Sequence, residues 1–146
     1  MEMDYGEYSN HYDTLCEINP AYQELIFEFQ TELSRMHLPA NPLVCDLGAG
    51  TGNFICSLIK ELPNAKVLHV DCNPEMNAIA KQKYQANDYE VEIIESYMQV
   101  APLNKNSLDL VICVNALNNA PPAGPMLNRI SNWIAPGGYL FLVDTQ

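Results

Sequence analysis

The spacing of apolar residues along this 146-residue chain changes several times between the period of a helix and that of a strand. After the helix-start pair Asn19-Pro20, apolar side chains at helical spacing predict an amphipathic helix over about 20–36. The same spacing predicts helices at about 52–62, 74–85 and 123–134. Short apolar runs between them predict five strands, at 43–47, 66–71, 91–95, 108–114 and 139–143.

Helices and strands that alternate in this way are typical of βαβ units. We therefore predict an α/β fold, with a doubly wound, mostly parallel sheet that is covered by helices on both faces. The domain is expected to cover residues 19–146, and the polar, tyrosine-rich residues 1–18 are expected to form an N-terminal arm. The connection 96–107 has no regular pattern, so no element is predicted there.

The charge of the chain narrows the choice of ligand. It has 7 basic and 18 acidic residues, which gives a net charge of −11. Nucleic-acid binding relies on Lys and Arg that neutralise phosphates, so this charge argues against nucleic acid and against an anionic membrane surface. A neutral or cationic small molecule is the expected partner.

The remaining composition points to an ordinary intracellular domain. No apolar run approaches the roughly 20 residues of a membrane span, and the acidic start lacks the layout of a signal peptide, so a cytoplasmic location is expected. The five cysteines contain no Cys-x-x-Cys pair, and the three histidines lack ligand spacing. No metal site is therefore predicted.

A glycine-rich turn follows the first predicted strand. Three glycines, at positions 48, 50 and 52, separate that strand from the next helix. Glycine lets a ligand approach the main chain, and the start of a helix offers unpaired N–H groups, so this loop is a candidate binding site. Dinucleotide-binding enzymes also use a glycine-rich turn, but their Gly-x-Gly-x-x-Gly spacing would require glycine at Asn53.

The spacing Asp46-x-Gly48-x-Gly50-x-Gly52 closely resembles motif I of the Class I methyltransferases that use S-adenosylmethionine (SAM). Three further segments resemble motifs of that family in the same order: the strand end at Asp71 with the following 72–76, the strand segment 107–117, and the Pro-Gly-Gly turn at 136–138. The resemblance implies a Rossmann-like methyltransferase core with SAM as its cofactor. A full Class I sheet has seven strands, so the chain is expected to lack the last two and to be a fragment, with a possible homodimer through the exposed sheet edge.

The resemblance also implies roles for individual residues. The acid at Asp71 would hold both ribose hydroxyls, and Met76 would lie near the adenine. The acid at Asp46 would stabilise the positive end of the cofactor. Ser96 and Tyr97 stand where the family usually has Gly-Asp, so the adenine contact would fall to Ser96 or to neighbouring backbone. The complete predicted cofactor site is Asp46, Gly48, Ala49, Gly50, Asp71, Cys72, Met76, Ser96, Tyr97 and Asn115.

No catalytic residue can be predicted, because methyl transfer from a sulfonium mainly requires alignment in a dry site. The pair Tyr12-Asp13 before a helix resembles the start of the small-molecule branch of the family, in which the arm can fold over the cofactor. His11 is a candidate base if the arm closes over the site. His69 is expected to be a packed core or edge residue. The predicted function is methyl transfer to a small-molecule acceptor. Two alternatives stay open, a non-catalytic SAM-binding domain and a nicotinamide-dependent oxidoreductase.

Overall fold

The computed structural model of the chain describes Asp13 and residues 19–144. Within these residues, helices and strands alternate as the sequence pattern predicts. The helices are α1 (Pro20–Arg35), α2 (Asn53–Glu61), α3 (Pro74–Ala86) and α4 (Ala123–Trp133). The strands are β1 (Leu43–Leu47), β2 (Lys66–Asp71), β3 (Val91–Glu95), β4 (Leu108–Val114) and β5 (Ile134–Val143). Short 3₁₀ turns cover Met98–Val100 and Leu117–Asn119.

The five strands form one sheet in the order β3-β2-β1-β4-β5, and every neighbouring pair is parallel. The chain moves from β1 outward to β3 and then returns to the other side of β1 with β4. The strand order therefore reverses between β1 and β4. Ligands of open α/β sheets bind at such a point, outside the carboxyl ends of the strands.

Both faces of the sheet are covered, which confirms the predicted doubly wound α/β fold. On one face, apolar side chains of α1, α2 and α3 pack against the sheet around Phe29 and Leu58, which are fully buried. On the other face, α4 and the two 3₁₀ turns cover the sheet around Ile130 and Trp133. The strand side chains between these layers form near-continuous apolar runs, as burial on both faces requires.

Asparagine begins two of the predicted helices. The side chain of Asn19 accepts a hydrogen bond from the N–H of Ala21 at 3.0 Å, and proline occupies the first turn of α1. Asn73 caps α3 in the same way, accepting from the N–H groups of residues 75 and 76, both at 3.0 Å. The pair Asn-Pro is thus a helix start at both places, because it satisfies orphan N–H groups and presets the backbone.

The last strand begins earlier than predicted. The sequence pattern places a turn at 136–138 and a strand only from Tyr139, whereas β5 begins at Ile134, which pairs with Leu108. The next registered pair is Leu110 with Tyr139, so the residues between form a bulge. Gly137 in this bulge has φ +81°, a left-handed conformation that glycine adopts readily. The Pro-Gly-Gly segment is therefore an irregularity inside the strand.

Candidate functional site

A cavity of about 310 Å³ opens at the carboxyl edge of the sheet, at the reversal of strand order. Its walls come from the ends of β1, β2, β3 and β4 and from the loops that follow them. All ten residues of the predicted cofactor site line it: Asp46, Gly48, Ala49, Gly50, Asp71, Cys72, Met76, Ser96, Tyr97 and Asn115.

The glycine loop turns sharply between β1 and α2. Gly48, Gly50 and Gly52 have φ values of +73°, +58° and +85°, in the left-handed region that favours glycine. The N–H groups of Gly48 and Ala49 both donate to the carbonyl of Val70, at 2.8 and 3.0 Å, so the loop is fixed against β2. The next N–H, of Gly50, points to the adjacent acid.

Two of these glycines are also required by close packing. A Cβ atom at Gly48 would overlap the side chain of Ala116, which follows β4. A Cβ atom at Gly52 would overlap the hydroxyl and ring of Tyr84 on α3. Glycine at these positions lets β4 and α3 approach the loop, so the loop has little room to move away from the cavity.

Asp71 at the end of β2 is held by two backbone groups. Its Oδ2 accepts from the N–H of Gly50 at 2.8 Å, and its Oδ1 accepts from the N–H of Asn73 at 2.9 Å. The carboxylate is half-buried and lines the cavity. Because each carboxylate oxygen has a second lone pair, both can still accept hydrogen bonds from a ligand.

Asp46 lies deeper in the same cavity wall and is only 4% exposed. Burial raises the pKa of its carboxyl group well above the ordinary value of 3.8, and the neighbouring Asp71 carboxylate raises it further. Both causes oppose a second negative charge in the cavity. A cation in the cavity would reverse this effect, because it favours the ionised carboxylate.

The end of the cavity beside β3 is formed by residues 96–99. The hydroxyl of Ser96 donates to the carbonyl of Tyr97 at 2.9 Å, and the N–H of Ser96 donates to the carbonyl of Asp71 at 3.2 Å. Met98 is buried, whereas Tyr97 is 66% exposed at the rim. Gln99, which the sequence interpretation did not single out, also lines this end.

The opposite end of the cavity lies beside β4. Asn115 has φ +54°, and its N–H donates to the carbonyl of Val143 at 2.7 Å, which turns the chain away from the strand. Asn119 lines the cavity as well. The adjacent Asn118 does not line the cavity.

Some lining residues could not be identified from local sequence. Tyr22 reaches the cavity from α1, where its ring contacts that of Phe54 edge-on at a centroid distance of 5.9 Å. The only local signal for either residue is an apolar helix face, which equally indicates core. Thr51 and Asn53 line the cavity from the glycine loop and the start of α2, so adjacency to the motif was their signal.

A buried polar network lies behind the glycine loop. His69 is fully buried, and its Nε2 and Nδ1 lie 2.7 Å from Asn77 Oδ1 and 2.8 Å from the Tyr84 hydroxyl. The amide nitrogen of Asn77 donates to the carbonyl of Asp71 at 3.0 Å and to a Glu95 carboxylate oxygen at 3.1 Å. Asn77 Oδ1 therefore accepts from His69 Nε2–H, and Nδ1 accepts from Tyr84. Burial lowers the pKa of His69, which favours this neutral form.

The prediction that His69 is a packed residue is confirmed. Its hydrogen-bond network also reaches two parts of the cavity wall. Asn77 holds the backbone of Asp71, and the Tyr84 hydroxyl lies against Gly52. The network thus connects the acid at the end of β2 with the glycine loop. In the part of the chain that the structure describes, no fully buried side-chain nitrogen or oxygen atom lacks a hydrogen-bond partner, as the cost of burying such atoms demands.

Asp13 accepts hydrogen bonds from the glycine loop and from the start of α2. Its Oδ1 accepts from the Thr51 hydroxyl and from Asn53 Nδ2, the latter at 3.1 Å. Its Oδ2 pairs with Lys83 Nζ at 3.1 Å, and Lys83 also donates to Asn53 Oδ1 at 2.7 Å. Asp13 therefore joins the start of α2 to α3. The candidate base His11 and the rest of the predicted arm lie outside the described residues.

The residues that the structure describes contain no group of three or more His, Cys, Asp or Glu side chains arranged to hold a metal ion. Of the described helices, none combines the length and the apolar character that crossing a membrane requires.

Residues 44–138 match the family model described as the methyltransferase domain. The match begins at β1, ends inside β5 and covers more than half of the chain. It therefore includes the glycine loop and both acids of the cavity.

Curated relatives are similar over most of this chain. The chain is 28% identical over 103 residues to a demethylmenaquinone methyltransferase of Chlorobaculum tepidum, which covers 70% of the chain and 40% of the relative. It is 33% identical over 109 residues to a trans-aconitate 2-methyltransferase of Methylobacterium nodulans, which covers 74% of the chain and 40% of the relative. The chain thus spans less than half the length of both relatives.

Solved structures share the fold. A putative SAM-dependent methyltransferase of Methanococcus maripaludis has a TM-score of 0.79 at 15% identity, over 96% of this chain and 64% of that one. A SAM-dependent methyltransferase of Aquifex aeolicus has a TM-score of 0.75 at 23% identity, over 95% of this chain and 71% of that one. The Rossmann-like architecture inferred from the sequence is confirmed.

Proposed function

Because the chain belongs to the methyltransferase domain family, we propose that its cavity binds SAM and that the protein transfers a methyl group to a small-molecule acceptor. One observation carries this proposal: a three-glycine loop and two acids, Asp46 and Asp71, line one cavity at the reversal of strand order. A nucleoside that carries a positively charged sulfur and an ammonium group suits these two acids. Its ribose diol can donate hydrogen bonds to one carboxylate, and its positive charge attracts the other.

Asp71 is the proposed ribose-binding residue. The N–H groups of Gly50 and Asn73 fix its two oxygens, and both retain an accepting lone pair for the two ribose hydroxyls. A carboxylate would repel a phosphorylated ribose, so this position argues against a phosphorylated dinucleotide. Because glycine has no side chain, the main chain of the glycine loop would contact the remainder of the ligand directly.

The positions of the two acids along the sheet edge suggest how the ligand lies. A nucleoside whose ribose is at β2 has its base either towards β3 or towards β4. Asp46 comes from β1, on the β4 side of Asp71, and its charge favours the cationic part of the ligand there. The base then lies towards β3, and the three strand spacings from β3 to β4 span about 14 Å.

When bound, SAM supplies a methyl group on a positively charged sulfur, which departs as a neutral thioether. The main task of the chain is therefore alignment. Asp46 is only 4% exposed, so water would weaken the attraction between its ionised form and the cation less than at the protein surface. Asn115 and Asn119 line the β4 end of the cavity, so they would be close to the acceptor.

The charge of the chain bears on the class of acceptor. The two relatives are named for demethylmenaquinone and for trans-aconitate, a polycarboxylate. A net charge of −11 repels a polyanion at long range and is indifferent to a neutral ring compound. We therefore favour a neutral or cationic acceptor over a polycarboxylate.

The test measures S-adenosylhomocysteine (SAH) formed from SAM by the purified protein. Acceptors to be offered are demethylmenaquinone, in its oxidised and reduced forms, and trans-aconitate. We expect SAH formation that depends on a neutral acceptor and is lost in Asp71→Ala, with Glu61→Ala as the control because Glu61 is an exposed acid at the end of α2.

The curated relatives are named as methyltransferases, which favours the enzyme over the non-catalytic alternative. Saturable SAM binding without SAH formation on any acceptor would support that alternative instead. Binding of NADH in preference to SAM would contradict both.

A further inference from the structure

The side-chain amide of Gln99 lies at the β3 end of the cavity. We infer that Gln99 reads the amino-group edge of the adenine base, an inference that rests on SAM binding in this cavity. Gln99 lies in the 3₁₀ turn Met98–Val100 and lines the cavity from the side of β3.

The base is expected at this end because of the order of the strands. Asp71 ends β2, and β3 is its neighbour at the sheet edge. Asp46 and the glycine loop lie on the other side of Asp71, towards β4. A ligand with its ribose at Asp71 and its cation near Asp46 therefore has its base beside residues 96–99.

Most other polar groups at this end are already engaged. The hydroxyl hydrogen of Ser96 is donated to the carbonyl of Tyr97 at 2.9 Å, and the backbone N–H of Ser96 is donated to the carbonyl of Asp71. The Asn73 side chain caps α3. Among the described residues, none forms a hydrogen bond with the side-chain amide of Gln99, so its carbonyl and its NH₂ group are available for a ligand.

An amide matches this edge of adenine chemically. Adenine presents an exocyclic amino donor beside a ring-nitrogen acceptor, and a glutamine amide presents an acceptor beside a donor. Two hydrogen bonds can therefore form at once. A hydroxyl or a thioether at the same place would supply at most one strong partner, so Gln99 is the side chain best suited to distinguish adenine from other bases.

The test is a cycle of two variants and two ligands, measured by calorimetry on the whole chain. The ligands are SAH and its analogue in which unsubstituted purine replaces adenine, so that only the exocyclic amino group is missing. Gln99→Met removes the amide and retains most of the volume. Gln82→Met changes an exposed glutamine on α3 in the same way and is the matched control.

We expect the wild type and Gln82→Met to bind SAH about fivefold more tightly than the purine analogue. In Gln99→Met, SAH affinity falls by a similar factor and the two ligands differ by less than about twofold, because the partner of the amino group is gone. Thermal denaturation of both variants establishes that each is folded.

Two results would overturn the inference. One is full discrimination between the ligands in Gln99→Met; the other is loss of discrimination in Ser96→Ala or Tyr97→Phe while Gln99→Met retains it, which assigns the amino group to a neighbouring hydroxyl. Either result leaves SAM binding itself intact. Failure of the wild type to bind SAH at all would overturn the proposed function together with the inference.

Discussion

The Asp46 carboxyl group is a buried acid in the wall of the cavity. It is 4% exposed, and it lines a cavity that we propose binds a cation. Burial and the nearby Asp71 carboxylate both raise its pKa, so without a ligand the carboxyl group stays neutral to a higher pH than an ordinary aspartate does. A bound cation favours the ionised form instead. The same carboxyl group therefore links pH to ligand affinity and to the stability of the fold.

SAM affinity is expected to rise with pH. Because the pKa of Asp46 is raised, a larger share of this carboxyl group is protonated at acidic pH than for an ordinary aspartate, and the ionised share that attracts the cation grows as pH rises. Asp46→Asn should weaken SAM binding about tenfold at neutral pH and should have a much flatter pH profile. Calorimetric titrations from acidic to neutral pH measure both. Equal pH dependence in the variant and the wild type would refute the role of Asp46.

The stability of the ligand-free protein should change in the opposite direction. A group whose pKa is higher in the folded state than in the unfolded state stabilises the fold below its unfolded pKa, and this contribution is lost as pH rises through the folded value. Asp46→Asn cannot ionise, so it should have a higher Tm than the wild type at neutral pH. The two proteins should converge below the ordinary aspartate pKa of 3.8. A lower Tm for the variant at neutral pH would contradict this explanation.

At the scale of elements, α2 and α3 meet at Gly52. The residue has φ +85°, and Tyr84 occupies the space where a Cβ atom would lie. Gly52→Ala should therefore reduce the free energy of unfolding by about 2 kcal/mol or more, from backbone strain and overlap together. Gly124→Ala is the control, because no atom lies within 4 Å of its Cβ position and it sits in α4. The control should be neutral or slightly more stable in urea denaturation.

The junction of Asp13, Asn53 and Lys83 is the second contact between elements that can be tested. Lys83→Met removes the ion pair with Asp13 and the hydrogen bond to Asn53, and the Lys83 and Asp13 side chains are 27% and 23% exposed. The expected loss of unfolding free energy is about 1 kcal/mol, and it should shrink at high salt. Lys81→Met, on the exposed face of α3, should have little effect. Equal effects of the two variants would argue against a specific role for the junction.

At the scale of the whole molecule, the sequence predicts what local pattern determines. Strand and helix order follow from apolar spacing, and the Asn-Pro pairs determine where α1 and α3 begin. The glycine spacing and the acid at Asp71 identify the cavity, because both stand at the ends of neighbouring strands. The roles of the ten lining residues in binding SAM stay predictions.

Contacts between distant segments could not be predicted in this way. Gln99 lies in a connection without regular pattern, and Tyr22 reaches the cavity only because α1 packs beside α2. The pairing of Ile134 with Leu108 depends on a bulge, and the Pro-Gly-Gly residues in that bulge indicate a turn when the local sequence is considered alone. The network around His69 is also long-range, since residues 69, 77, 84 and 95 meet through the packing of α3 on the sheet.

The most direct test of the central claim is the affinity of SAM for Asp71→Ala, compared with the wild type and with Glu61→Ala. Removal of the carboxylate leaves the ribose hydroxyls without their charged acceptor, so we expect SAM to bind at least about tenfold more weakly, with the control unchanged. The free energy of unfolding of each variant is measured alongside. Unchanged SAM affinity in a folded Asp71→Ala protein would contradict the assignment of this cavity to the cofactor.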